Sequence, residues 1–174
     1  MSNLSPTSQP GFFRVYLEQV AETDLTAAFT NQSKKIKELF SSISEEQSTF
    51  AYAAGKWTLK EVLQHLVDAE RIFTYRALCF ARQETAVLPS FEENDYAAAS
   101  NANGRTWEDL TTEFLTVRQS TLFLYKSFTP GMLASIGKAS NNALSVNEIG
   151  FLIVGHFNHH LRIIKERYLI DIDT

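Results

Sequence analysis

The chain has 174 residues, 44% apolar and 21% charged, enough for one globular domain with a single sizeable core. Its net charge of −4 and scattered basic residues argue against a nucleic-acid partner, and its one cysteine, Cys79, excludes an intramolecular disulfide framework. No apolar run approaches the roughly 20 residues that span a bilayer, and the polar start of the chain lacks the pattern of a signal peptide, so a cytoplasmic protein with no membrane partner is expected.

Residues 1–10 read as a flexible polar tail, with one helical domain over 11–174. A short aromatic segment, Phe12-Phe-Arg-Val-Tyr-Leu17, leads toward the first helix, predicted over 24–42 with Asp24 as its N-cap. Leu25, Ala28, Phe29, Ile36, Leu39 and Phe40 form its apolar side.

The second helix, over 58–82, opens with Thr58-Leu-Lys-Glu61, whose hydroxyl and carboxylate can each satisfy a free amide at the helix start. Leu59, Val62, Leu66, Ala69, Phe73, Ala77 and Phe80 then recur at helical spacing. A third helix, over 106–128, starts at Thr106 with Asp109 in the partner position and stops at Thr129-Pro-Gly131. The last, over 146–170, follows a second box, Ser145-Val-Asn-Glu148. No sustained alternation marks a strand.

Four long amphipathic helices predict an all-α four-helix bundle. The connections across 83–105 and 129–144 are long, which favours a crossover path over simple up-and-down order.

On the last helix His156 and His160 fall about 20° either side of the centre of the apolar stripe, whereas His159 lies about 80° off, at its edge. His65 leans inward on the second helix, beside Val62, Ala69, Ile72 and Arg76. Imidazoles four residues apart on one helix can converge on one ion, and three on two helices leave coordination positions open for water or substrate. The plainer alternative is a set of hydrogen-bonded core histidines. Glu70, within Asp68-Ala-Glu-Arg71, is a candidate to orient a ligand from behind; His159 has at most that role or a place on the rim. Arg76, Tyr96 and Arg105 are candidates to bind a substrate anion. No catalytic acid or base is identifiable.

Tyr52-Ala-Ala-Gly-Lys-Trp-Thr-Leu-Lys-Glu-Val-Leu-Gln-His65, followed by Asp68-Ala-Glu-Arg71 and Tyr75-Arg76, resembles the DinB-like (DinB/YfiT-type) superfamily of metal-binding four-helix proteins. Gly155-His-Phe-Asn-His-His-Leu161 and Lys165-Glu-Arg-Tyr168 look like its final-helix signature, and the similarity covers roughly residues 14–170. Ala54 stands where similar sequences commonly have Pro, a loop difference that does not touch the histidines. The resemblance implies zinc or nickel held by His65, His156 and His160, and a homodimer. Some members of the family transfer low-molecular-weight thiols to electrophiles; many have no assigned activity. The leading expectation is therefore a metal-dependent thiol S-transferase acting on a small molecule. A metal-dependent hydrolase and a non-catalytic metal or small-ligand binding protein are the alternatives.

Overall fold

All four caps named from the sequence are present in the computed structural model, which describes residues 11–139 and 142–168. Asp24 accepts from the Ala27 amide at 2.8 Å, and Thr106 Oγ1 accepts from the Asp109 amide at 3.1 Å. Thr58 with Glu61 and Ser145 with Glu148 make the full reciprocal pairs. Each satisfies amides that a helix start otherwise leaves without partners.

In chain order the elements are α1 (Gly11–Leu17), α2 (Leu25–Ser42), α3 (Glu45–Ser48), α4 (Leu59–Ala81), α5 (Glu93–Ala99), α6 (Trp107–Lys126), α7 (Pro130–Ala134), β1 (Ile136–Ala139), β2 (Asn142–Ser145) and α8 (Val146–Tyr168). The four predicted helices are α2, α4, α6 and α8, with ends within two residues of expectation wherever the chain is described. The expected tail over residues 1–10 and the end of the last helix at residue 170 lie outside the described residues.

Two elements add to the four expected helices. The aromatic segment before α2 is itself a helix, α1, with Phe13 buried in the core and Tyr16 and Leu17 packed against it. The stretch before α8 contains an antiparallel hairpin, β1 with β2, where no strand was expected. Its first strand, Ile136-Gly-Lys-Ala139, points its small residues inward and its large ones outward, so hydrophobic alternation gives no sign of it. Tertiary contact holds it: Gly137 lies against the Phe80 ring, and Leu88 bridges to Ala139.

Around the bundle the order is α2, α8, α4, α6. α4 packs between α6 and α8, and α2 packs mainly on α8 rather than on α4. The ring closes where Trp107 Nε1 donates to the Phe40 carbonyl at 3.2 Å and Phe40 meets Phe114 edge-on. The path is thus of the crossover kind, but the crossings are the first and third connections. The longest one, 83–105, joins neighbouring helices and lays α5 over α4.

Two apolar clusters fill the interior, one around Phe73, Phe80, Phe151 and Ile153 and the other around Leu39, Leu63, Phe114 and Ile164. A buried polar chain ties all four long helices together. Arg118 on α6 pairs with Glu70 on α4 and donates to Gln32 on α2, and Gln32 donates to the Val154 carbonyl on α8 at 2.7 Å. Among the described residues no helix is long and apolar enough to cross a membrane.

Candidate metal centre

Because α4 and α8 are neighbours, the inward stripe of one faces that of the other, and His65 meets His156 and His160 between them. His65 Nε2 and His156 Nε2 are 3.1 Å apart, and one nitrogen from each of the three rings lies within 4.8 Å of the other two. The ring centroids are 4.7–5.0 Å apart. His65 and His156 are buried; His160 keeps part of its residue surface exposed while its imidazole is enclosed.

Burial sets the protonation state, since a charged imidazolium is disfavoured away from water. It lowers His65 to about 4. It holds His156 and His160 well below the ordinary value, and the neighbouring histidines push the same way. At neutral pH all three rings are therefore uncharged and able to offer a lone pair.

This donor set fits a divalent ion. Two nitrogens each about 2.0–2.1 Å from a metal stand about 2.9 Å apart at a right angle and about 3.3 Å apart at the tetrahedral angle. The His65–His156 separation lies between those values. Three neutral imidazoles suit zinc, nickel, copper or iron.

Aromatic rings wall the site. Trp57 packs on His65 with centroids 5.0 Å apart, and Phe73 meets His156 edge-on at 5.7 Å. Tyr168 Oη donates to the Trp57 carbonyl at 2.6 Å, fixing the loop that carries Trp57 to the end of α8. Tyr16 of α1 stands edge-on to both His156 and His159, each at 5.2 Å. Its phenol is pushed up to about 12, first by burial and then by the nearby Glu93 carboxylate, so it stays protonated at neutral pH.

His159 sits at the edge as expected, half-buried, and its Nδ1 is a buried atom with no hydrogen-bond partner among the described residues. Glu70 lines a narrow void together with His156, yet both of its oxygens accept from Arg118, so its link to the histidines runs through packing. Arg76 is buried and donates to the Pro89 carbonyl at 2.7 Å, anchoring the long 83–105 connection. Tyr96 is exposed, packs at a tilt against Phe91 and borders a shallow cleft with Asp68 and Arg71. Arg105 is engaged by Asp109, Glu113 and Gln64 on the α4–α6 side. The structure thus brings together the three ligand candidates and His159, while Arg76, Tyr96 and Arg105 occupy other environments.

Sequence reasoning passed over Tyr16, Trp57, Arg118 and Gln32. For the last two a signal existed. Gln32 falls between Phe29 and Ile36, and Arg118 between Phe114 and Thr121, so each interrupts an apolar stripe with a group that needs a buried partner. For Tyr16 there was none, because only the docking of α1 brings it to the histidines.

The family model of the DinB superfamily matches residues 16–164. This chain belongs to the DinB superfamily. A relative from Bacillus licheniformis, named a "putative metal-dependent hydrolase", is 28% identical over 127 residues, 71% of each protein. One from Geobacillus thermodenitrificans with the same name is 24% identical over 165 residues, covering 92% of this chain and 93% of that one. Among solved structures, YfiT from Bacillus subtilis superposes with a TM-score of 0.69 at 16% identity, over 92% of this chain and 88% of its own. It is described as a probable metal-dependent hydrolase with an unusual four-helix bundle topology. At that identity the likeness shows the fold. The names of these relatives, together with the histidine cluster here, support a divalent ion at this DinB-type site.

Proposed function

We propose that this protein is a divalent-metal-dependent enzyme that transfers a low-molecular-weight thiol to a small electrophile, with His65, His156 and His160 as ligands to zinc or nickel. The observation that carries the reading is the donor set: three buried, neutral imidazoles whose ring neighbours are Tyr16, Trp57, Phe73 and His159. None of these is a nucleophile of the serine or cysteine kind. Cys79 stands fourteen residues beyond His65 on α4, about 21 Å along the helix, too far to reach the site. In this reading the nucleophile comes from outside the chain, as the thiol itself.

A bound ion would supply Lewis acidity, lowering the pKa of a thiol or water at its open position. The protein's own part is orientation and exclusion. The rings of Trp57, Phe73 and Tyr16 limit water around the histidines.

A second reading, metal-dependent hydrolysis, has the names of the curated relatives in its favour. Zinc- or nickel-loaded protein assayed with an electrophile panel and an ester panel, each with and without added thiol, separates the two. Turnover that requires thiol supports transfer, and thiol-independent ester cleavage supports hydrolysis. Tight metal binding without turnover in either panel leaves a binding protein. A homodimer and a cytoplasmic location belong to the same proposal, the latter because small thiols stay reduced there. Leu115 and Phe123 are exposed two turns apart on one side of α6, among Thr112, Thr116, Gln119 and Ser120. Sedimentation as a monomer at micromolar concentration would remove the dimer.

A further inference from the structure

Helix α1 packs across α8 beside the histidines, and it and the residues just after it are held there at three points. Gly155, next to His156, has no side chain where the backbone of α1 crosses it: a Cβ there would stand 2.1 Å from the Tyr16 carbonyl oxygen. The Tyr16 ring stands edge-on to His156 at 84° and to His159 at 81°. Just beyond α1, the Gln19 carbonyl accepts from Asn158 Nδ2 at 2.9 Å. Phe13, one turn before Tyr16, is buried in the core and anchors the other end of the helix.

We infer that α1 is part of the metal centre, with Tyr16 a positioning residue whose ring fixes the orientation of His156, and Gly155 the contact that lets α1 seat there. The inference rests on the metal reading above. An imidazole on a helix can turn about its side-chain bonds, and only one orientation aims its lone pair at the shared ion. Phe73 and Tyr16 both meet the His156 ring edge-on, so removing Tyr16 takes away one of its two aromatic supports without touching a ligand.

The test uses the full chain loaded with cobalt(II), reading its visible absorption spectrum and its release to a chelator. Tyr16→Ala is expected to speed release about 10- to 100-fold, the range in which residues supporting a ligand act, and to alter the spectrum. Tyr16→Phe, which keeps the ring, should behave as wild type. Gly155→Ala should resemble Tyr16→Ala, and the double variant should be no worse than either alone, because both act through one docking event. Circular dichroism of each variant separates this from loss of the bundle. An unchanged spectrum and release rate in Tyr16→Ala would overturn the inference, as would Tyr16→Phe failing as badly as Tyr16→Ala. Wild-type protein that takes up no cobalt overturns the metal reading itself and this inference with it.

Discussion

Arg118 donates from Nε to one oxygen of Glu70 at 2.8 Å and from Nη2 to the other at 2.9 Å, with both side chains almost wholly buried. The guanidinium also packs against Phe29, Phe114 and Phe157, 5.2–5.9 Å from the ring centroids, and donates from Nη1 to Gln32. An ion pair so placed adds little net stability over well-packed apolar residues, but losing one partner strands the other's charge. Its structural value is in register, since its partners come from α2, α4, α6 and α8 and lie beside His156.

Arg118→Met is accordingly expected to destabilise the fold by about 3–5 kcal/mol. The double change Glu70→Leu with Arg118→Met should recover most of that. Urea denaturation of the three proteins measures both, and a single-variant loss under about 1 kcal/mol would contradict the account.

The ligand assignment predicts a sharp contrast among the four histidines. His65→Ala, His156→Ala and His160→Ala should each abolish or greatly weaken bound zinc or nickel, whereas His159→Ala should keep most of it. Elemental analysis of the purified proteins decides. Metal lost with His159 but kept without His160 would mean the wrong face of α8 had been assigned.

The metal-free protein should lose stability as the pH falls from about 6.5 toward 4. His65 has its folded pKa lowered to about 4 by burial, against an ordinary value near 6.5. Between those values the unfolded chain binds the proton and the folded one does not, so acid favours unfolding. The stability is whole above about 6.5 and is lost by the time His65 itself protonates in the fold. His156 and His160, lowered in the same direction, deepen the loss. For His65 alone it is on the order of 3 kcal/mol. Thermal melts of chelator-treated protein across this range provide the check; a His65→Gln variant with the same acid slope would rule out His65 as a contributor.

Gly137→Val should destabilise the hairpin and loosen its seat on α4. A Cβ at this position would stand 2.0 Å from the ring of Phe80, a fully buried side chain that cannot easily move aside. Overpacking of this kind costs about 1–3 kcal/mol. Denaturant unfolding would reveal it, and a variant as stable as wild type would show that the hairpin yields instead.

What the sequence determined by itself was local or periodic. Thr58 and Glu61, Ser145 and Glu148, and the apolar stripes of α2, α4, α6 and α8 could be read because caps and helix faces depend on residues three or four apart. The same periodicity separated His156 and His160 from His159 before any fold was known. Tertiary structure alone decided what depends on packing between distant segments. That α4 lies between α6 and α8 brings His65 to within 3.1 Å of His156 across 91 residues of sequence. That Gly155 admits α1 brings Tyr16 to the same ring. The hairpin exists because Gly137 fits against Phe80, and Glu70 turns to Arg118 because α6 supplies a buried cation beside it. Helical spacing carries a residue's face but not its partner, and the partner is chosen only when the helices pack.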